Sequence, residues 1–230
     1  MASVLTFRRL ISQAKAIKRY IRRAVTAPDT HSVGREPAFD PETKAWFIDR
    51  LASVHSYLEY GAGASTLLVA DRGIPAISIE SDAKYARAVR RAMPTGCENL
   101  VADIDIGTTE EWGFPLWNFP TQRAIRRWQS YPLAGPKLVA RLPVFPDLIL
   151  VDGRFRVACC LAMSKAAIEQ GKNTLILFDD YVLRSHYHSV EDILGSPQLI
   201  GRSALFAINP HSLAPDGLDA ALQLAISDCR

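Results

Sequence analysis

Six acidic residues stand at the ends of short apolar runs, and this pattern is the strongest chemical signal in the sequence. They are Glu59, Glu80, Asp103, Asp152, Asp179 and Asp180. In a parallel β-sheet the carboxyl ends of the strands lie along one edge, which is where ligands bind. We therefore expect the six carboxylates to form one constellation at that edge.

Asp152 ends the fourth apolar run, and Asp179-Asp180 ends the fifth. Because neighbouring strands lie about 5 Å apart, these three carboxylates would repel one another unless a cation or strong hydrogen-bond donors neutralise them. A hard divalent cation such as Mg²⁺ prefers oxygen ligands and fits this arrangement. The alternative is that the carboxylates cap a helix or pair with arginines. The arginines close to them in sequence are Arg154, Arg156 and Arg184.

A glycine turn, Gly61-Ala62-Gly63, joins the first apolar run to a helical segment. Glycines allow the backbone to approach a ligand closely, and the following helix turns its N-terminus toward that ligand. Glu80 ends the next run, where a carboxylate can accept hydrogen bonds from two ribose hydroxyls. Folds that bind nicotinamide cofactors and folds that bind S-adenosylmethionine share this geometry. The dinucleotide fingerprint requires Gly or Ala where this chain has Thr66, which disfavours a nicotinamide cofactor.

The elements that must position these residues alternate between strands and helices. Strands are expected at 56–60, 75–80, 99–103, 147–152 and 174–180, with two further strand-like segments at 197–201 and 203–208. Helices are expected at 40–54, 67–72, 82–93, 155–170 and 186–194. This alternation predicts an α/β fold, a Rossmann-like, doubly wound and mostly parallel sheet of about seven strands with helices on both faces.

An aromatic and proline-rich insertion at residues 104–146 interrupts the alternation. Its aromatic residues include Trp112, Phe114, Trp117, Phe119, Trp128 and Tyr131. A long irregular segment in a compact domain is usually functional or mobile. We interpret it as a substrate-side lid, and the alternative is that its aromatic residues only cover the edge of the sheet.

The net charge of +3 is concentrated at the N-terminus, because residues 1–30 contain seven Lys/Arg and one Asp. Residues 4–25 form an apolar and a basic face on a helical wheel, which predicts a basic amphipathic helix before a domain at 31–230. Such a helix docks on the body or on the second copy of a homodimer, or lies on anionic lipid. The remaining chain is mildly acidic, so that no broad nucleic-acid surface is expected.

Composition places the chain among ordinary globular proteins, with 48% hydrophobic and 22% charged residues. No apolar run approaches the roughly 20 residues of a membrane-spanning helix. The four cysteines lack zinc-site spacing, which fits a reducing compartment. We expect a cytoplasmic protein, with peripheral contact at the inner face of a membrane through residues 4–25 left open.

The segment from Glu59 to Thr66 resembles the first motif of class I S-adenosylmethionine-dependent methyltransferases. Glu80 matches the second acidic position of that family, and Asp103 lies near the position that contacts adenine. The resemblance covers roughly residues 40–208. It implies that S-adenosylmethionine is bound by Glu59, Gly61, Gly63, Ser65, Glu80 and Asp103.

The acids after strands four and five resemble those of the metal-dependent O-methyltransferases, of both the catechol and the macrocin type. This resemblance implies an Mg²⁺ site at Asp152, Asp179 and Asp180, where the metal would lower the pKa of a substrate hydroxyl and orient its oxygen. The catechol-type enzymes have a lysine base where this chain has Phe155. His186 or His188 is the alternative base.

The chain also resembles a bacterial group of methyltransferase-like proteins in three segments, Val151–Arg156, Phe178–Tyr181 and Trp112–Pro115. The Asn/Asp-Pro-Pro-aromatic motif of N-methyltransferases is absent after strand four. We therefore expect O-methylation of a small molecule or sugar, with Asp152, Arg154 and His186 as catalytic residues and an anionic substrate group on the arginines. The alternative is a non-catalytic binding module that uses the aromatic insertion and the basic helix to contact a partner or a membrane.

Overall fold

This computed structural model describes residues 32–211 and 217–229, together with Ala14, Lys18 and Ile21. The strands of the described chain are β1 (Tyr57–Tyr60), β2 (Ala76–Glu80), β3 (Leu100–Asp103), β4 (Leu148–Val151), β5 (Thr174–Phe178), β6 (Gln198–Ile200) and β7 (Ser203–Ile208). They form one sheet in the order β3-β2-β1-β4-β5-β7-β6. All neighbours from β3 to β5 are parallel, and β7 is antiparallel to both β5 and β6. This confirms the predicted fold class.

The helices of the described residues lie before the first strand, between the strands and after the last of them. They are α1 (Pro41–Arg50), α2 (Ala64–Asp71), α3 (Ala83–Ala92), α4 (Gln122–Trp128), α5 (Ala134–Leu138), α6 (Arg156–Glu169), α7 (Glu191–Leu194) and α8 (Leu218–Ile226). Four 3₁₀ turns accompany them, at Leu51–Ser53, Glu111–Gly113, Val139–Arg141 and Ser185–Val190. The sequence patterns did not predict α4, α5 and α8, and the 186–194 helix is a 3₁₀ turn followed by the short α7.

Side-chain caps set where two of these helices begin. The Asp40 carboxylate accepts hydrogen bonds from the backbone N–H groups of Glu42 and Thr43, and Pro41 follows it in the first turn of α1. Asp82 caps α3 in the same way. Both helices therefore begin directly after a capping aspartate.

The sheet separates two apolar cores because successive strand residues point to opposite faces. Strand β4 is buried along its whole length. Its residues Ile149 and Val151 pack into the larger core, which contains most of α6. Leu148 and Leu150 pack on the other face against Phe47 of α1. Burial on both faces explains why the central strands are continuous apolar runs.

Residues 104–146 are the crossover connection between β3 and β4, not an interruption of the fold. Strand β3 lies at the outer edge, two strands away from β1, whereas β4 pairs with β1 on the other side. The connection must therefore travel across the sheet, and it does so with α4 and α5. Trp128 and Tyr131 are buried in the larger core, so that this half of the segment covers the sheet.

The predicted amphipathic helix at residues 4–25, and with it most of the proposed 1–30 unit, lies outside the described residues. Ala14, Lys18 and Ile21 are the exceptions, and they are helical and exposed. No helix among the described residues has both the length and the apolar composition needed to cross a membrane.

Candidate active site

The glycine turn after β1 lies directly against the loop that follows β4. Gly61 has a φ of +94°, and a Cβ atom there would come within 2.8 Å of the backbone nitrogen of Gly153. The two loops meet because β1 and β4 are paired, and the Asp152 N–H donates to the Tyr60 carbonyl over 2.9 Å. The turn therefore requires glycine at position 61 for both backbone conformation and space.

Gly63 is glycine for a different reason. Its backbone is extended, with a φ of 176°, and a Cβ atom would meet only the Tyr85 hydroxyl, at 3.6 Å. None of the described residues excludes a side chain there, and the position lines the cavity at this edge of the sheet. The missing side chain leaves room for a ligand.

Glu59 lies beneath the glycine turn and does not line the cavity. It is fully buried, and its carboxylate accepts hydrogen bonds from four hydroxyl groups. The donors are Tyr57, Ser65, Thr66 and Ser78. Burial raises the pKa of Glu59, and the hydroxyl donors oppose that rise. Glu59 therefore fixes the turn and the start of α2, whose Ser65 lines the cavity while its hydroxyl is directed to Glu59.

Glu80 ends β2 at the cavity, as the sequence predicts. One carboxylate oxygen accepts from the backbone N–H groups of Ser81 and Asp82, and the other accepts from the N–H of Ala62 over 3.1 Å. Burial raises the pKa of Glu80, which the three backbone donors oppose. The carboxylate thus ties β2 to the glycine turn while it lines the cavity.

An elongated cavity of about 900 Å³ runs along the carboxyl edge of the sheet. Its walls come from the segment 34–39, the glycine turn with α2, the end of β2, the crossover residues 110–114 and Tyr131, the loops after β4 and β5, and Arg202 before β7. This volume matches that of small-molecule and cofactor sites, which range over about 300–1,000 Å³. The topological position is the one at which such folds bind ligands.

The three acids after β4 and β5 come together as predicted. Oxygen atoms of Asp152, Asp179 and Asp180 lie within 4.8 Å of one another. Asp179 is buried, whereas the Asp152 side chain keeps 38% of its surface exposed. Asp180 has a φ of +58°, a left-handed backbone conformation that a residue with a side chain rarely adopts.

Three arginines neutralise these three carboxylates. Arg156 pairs with Asp152 over 2.8 Å and lies 3.5 Å from Asp180, which Arg184 also contacts over 2.7 Å. Arg202 contacts both oxygens of Asp179, over 2.8 and 3.1 Å. The sequence analysis named Arg156 and Arg184 as candidates but missed Arg202.

The arginine pairs decide how the acid cluster fits a metal. A bound Mg²⁺ would have to displace guanidinium groups that already balance the carboxylate charges, and Asp179 is further committed to the hydroxyl of Ser203. The carboxylate oxygens of the cluster are therefore partners in an ion-pair network with the arginines. The residues present do not fit Mg²⁺ in this arrangement.

Asp152 has an altered proton affinity. Burial and the neighbouring carboxylates of Asp179 and Asp180 raise the pKa of Asp152 to about 7, although Arg156 and Arg202 oppose the rise. A carboxyl with this pKa changes protonation near neutral pH, which suits a group that accepts a proton.

The raised pKa of Asp152 makes stability depend on pH in a defined direction. The unfolded chain releases the Asp152 proton near pH 4 and the folded protein near pH 7, so that the folded state binds more protons between these values. We expect the free energy of unfolding of the wild type to fall, relative to that of Asp152→Asn, as pH rises from 4 to 7 and to fall no further above 8. Urea titrations across this range measure the difference. Asp49→Asn, at an exposed position of α1, is the control, and a pH-independent difference for Asp152→Asn would contradict the prediction.

Arg154 differs from the other arginines of the site. Its side chain is 5% exposed, and its Nε and Nη1 atoms are buried without a hydrogen-bond acceptor. The guanidinium carbon lies 4.1 Å from the ring centroid of Phe114 in the crossover. Burial lowers the pKa of Arg154. Phe155, which follows it, has a φ of +53° and is buried against Trp128 and Tyr131.

Besides Glu59, two of the predicted site residues do not line the cavity. Asp103 lies at the end of the edge strand β3 and pairs with Arg90 of α3. His186 lies in the 3₁₀ turn after β5, where its ring packs 4.3 Å from that of Tyr187. The resemblance placed these residues by sequence position alone, and neither position reaches the space between β1 and β5.

The comparison with solved structures agrees with this geometry. The chain is similar to a methyltransferase-like protein from Silicibacter pomeroyi, with 32% sequence identity, a TM-score of 0.70, and coverage of 84% of this chain and 98% of that chain. A weaker similarity is to the SAH-bound methyltransferase PaMTH1 of Podospora anserina, with 15% identity, a TM-score of 0.39, and coverage of 94% of this chain and 75% of that chain. Another is to the methyltransferase CcbJ of Streptomyces caelestis, with 12% identity, a TM-score of 0.33, and coverage of 82% of this chain and 84% of that chain. The chain matches no protein-family model and no curated protein.

The strand order, the antiparallel β7 and the glycine turn beside the cavity define a Rossmann-like methyltransferase fold. With the similarity to the Silicibacter protein, they show that the chain belongs to the S-adenosylmethionine-dependent methyltransferase family. The residues present fit that cofactor, because Gly63 leaves open the space that a Cβ atom would fill and Glu80 lines the cavity beside it.

Proposed function

We propose that the protein transfers a methyl group from S-adenosylmethionine to an oxygen atom of a small molecule or sugar. The observation that carries this proposal is the position of Asp152, which lines the cavity next to the glycine turn and has a pKa of about 7. S-Adenosylmethionine, when bound, supplies the activated methyl group.

Each part of the cavity has a separate task in this proposal. The glycine turn and Glu80 hold the cofactor, and the crossover residues form the wall on the acceptor side. Asp152 accepts the proton of the acceptor hydroxyl as the oxygen attacks. Positioning supplies most of the remaining rate enhancement, because a transfer between two bound molecules depends on their alignment.

The charge of the site supports oxygen as the acceptor atom. Asp152 is followed by Gly153, Arg154 and Phe155, which differ from the Asn/Asp-Pro-Pro-aromatic motif that N-methyltransferases carry at this point. A hydroxyl acceptor must lose a proton during transfer, and Asp152 is placed to take it. Mg²⁺ is not part of the proposal, because Arg156, Arg184 and Arg202 already neutralise the acid cluster.

Thermal unfolding with added ligands tests the proposal. S-Adenosylhomocysteine at 100 times its dissociation constant adds about 2.7 kcal/mol to the stability of the native state, which corresponds to a rise of about 5–10 °C in the melting temperature. We expect no such rise with NAD⁺, and no further rise when Mg²⁺ is added to the S-adenosylhomocysteine complex. Asp179→Asn tests for a metal site. If Mg²⁺ raises the melting temperature of the wild type but not that of Asp179→Asn, the acid cluster binds the metal.

The outcome of this titration also separates an enzyme from a binding module. If S-adenosylhomocysteine does not stabilise the wild type, the cavity does not bind the cofactor and the proposed methyl transfer is wrong. If it does, release of S-adenosylhomocysteine from S-adenosylmethionine in the presence of hydroxylated small molecules and sugars identifies the acceptor. Asp152→Asn should lower this rate about 10²–10⁴-fold, the range for the loss of a general base.

A further inference from the structure

Arg154 is a buried cation that forms no direct ion pair among the described residues. Its side chain is 5% exposed, and two of its nitrogen atoms, Nε and Nη1, are buried without an acceptor. A buried charged group without partners costs several kcal/mol, so that native proteins rarely keep one without a role. Arg154 lines the cavity, and a ligand in the cavity can supply the missing acceptors.

The carboxylates near Arg154 take their closest contacts from other groups. Asp152, Asp179 and Asp180 pair with Arg156, Arg184 and Arg202. Glu80 is a further carboxylate of the cavity, and its oxygens accept from the backbone N–H groups of Ala62, Ser81 and Asp82. Among the described residues, these carboxylates therefore leave the Nε and Nη1 atoms of Arg154 without an acceptor.

The surroundings of Arg154 hold the guanidinium in place before any ligand binds. Its carbon stacks 4.1 Å from the centroid of the Phe114 ring, and a Cβ atom on Gly113 would lie 3.6 Å from its Cγ. The Cys159 thiol contacts the Arg154 carbonyl over 3.3 Å. A cation that is already ordered loses little entropy on binding, which increases the affinity for an anion.

We infer that Arg154 binds an oxyanion, a carboxylate or a phosphate, that is carried by the methyl acceptor. This inference rests on the proposed function, because it names the acceptor as an anionic hydroxyl compound. The placement of Arg154 supports the acceptor side, since it stacks on the crossover wall and follows Asp152 by two residues. The carboxylate of the cofactor has another partner nearby, the backbone N–H groups at the first turn of α2 beside the cavity.

The test titrates inorganic phosphate into the full chain by calorimetry, at constant ionic strength, with and without saturating S-adenosylhomocysteine. We expect saturable binding to the wild type and a loss of about tenfold or more in Arg154→Gln, the effect of one charge-assisted hydrogen bond. The affinity of Arg154→Gln for S-adenosylhomocysteine should change by less than about threefold, well below that loss. Arg87→Gln, at an exposed position of α3, is the matched control and should change neither affinity.

Phe114→Leu provides a second variant that keeps the cation and removes only its aromatic support. Its phosphate affinity should fall about threefold, the size of an exposed to partly buried cation–π contact. This variant decides the question if Arg154→Gln does not fold, and an unchanged phosphate affinity in it would then count against the inference.

Three results would overturn the inference. The first is the absence of saturable phosphate binding to the wild type, and the second is equal phosphate affinity in the wild type and Arg154→Gln. The third is a large loss of S-adenosylhomocysteine affinity in Arg154→Gln with unchanged affinity for 5′-methylthioadenosine, which lacks the amino-acid portion. That pattern would assign Arg154 to the cofactor carboxylate. Failure of the wild type to bind S-adenosylhomocysteine would overturn the proposed function instead, and phosphate binding to the free protein would still test Arg154.

Discussion

Replacement of Gly61 by alanine should destabilise the protein by about 2–5 kcal/mol and abolish S-adenosylhomocysteine binding. The left-handed conformation at φ +94° costs a residue with a Cβ atom about 1–2 kcal/mol. Overlap of that atom with the backbone of Gly153 at 2.8 Å adds about 1–3 kcal/mol of packing strain. The backbone cannot yield easily, because it links the paired strands β1 and β4. Urea unfolding followed by circular dichroism measures the loss, and calorimetry measures the binding.

Gly63→Ala is the matched control for this prediction. Its extended backbone accepts alanine, and the nearest atom to the new Cβ is 3.6 Å away. We expect stability to change by less than about 1 kcal/mol, the scale of a substitution at a helix N-cap. The new methyl group would occupy the cavity, so that S-adenosylhomocysteine binding should still be lost. Wild-type binding by Gly63→Ala would show that the ligand does not lie against this turn.

Replacement of Arg156 by methionine should destabilise the protein by about 3–5 kcal/mol, the cost of removing one partner from a buried ion pair. The Arg156 side chain is 4% exposed and contacts both Asp152 and Asp180. It also donates to the backbone carbonyls of Gly153, Asp179 and Asp152, which connect the loops after β4 and β5. Its removal leaves the Asp152 carboxylate without its ion-pair partner and the three carbonyls without this donor, whereas Asp180 keeps Arg184 and Arg202. Urea unfolding measures the change.

The exposed partner in the same network provides the comparison. Arg184 contacts Asp180 with a side chain that is 39% exposed, so that Arg184→Met should cost less than about 1 kcal/mol. The double variant Arg156→Met/Asp152→Asn should recover part of the loss, because it removes an uncompensated charge. Equal effects of the two single arginine variants would contradict the network described for this site.

The strands could be predicted because burial on both faces dictates continuous apolar sequence. Thr174–Phe178 and Leu148–Val151 show this, and each is followed by the acid that its position in the sheet explains. The short α4 and α5 were not predicted, since Gln122–Trp128 and Ala134–Leu138 span too few turns for a helical period to stand out in a proline-rich segment. The crossover role of 104–146 depends on strand order, which no local pattern contains.

The candidate site was predictable as far as it consists of local motifs. Gly61, Glu80 and the three clustered acids lie where their spacing suggested. The neutralisation of the acids was only half predictable, because Arg202 reaches Asp179 through the antiparallel pairing of β7 with β5. Because Arg202 is brought to Asp179 by the pairing of distant strands, the sequence around Asp179 contains no sign of this partner. Arg154 could be noted as an arginine near an acid, but its isolation from carboxylates appears only in three dimensions.

Two of the left-handed residues at the site, Phe155 and Asp180, limit how the protein can be engineered for thermal stability. Glycine is the usual remedy for a strained left-handed position, since it removes about 1–2 kcal/mol of backbone cost. Glycine at position 155 would remove a buried aromatic ring, whose burial contributes about 1.5–3 kcal/mol. Glycine at position 180 would remove a carboxylate that three arginines contact. Gains in heat resistance are therefore to be sought on the opposite edge of the sheet, where the chain tolerates change without altering the chemistry of the cavity.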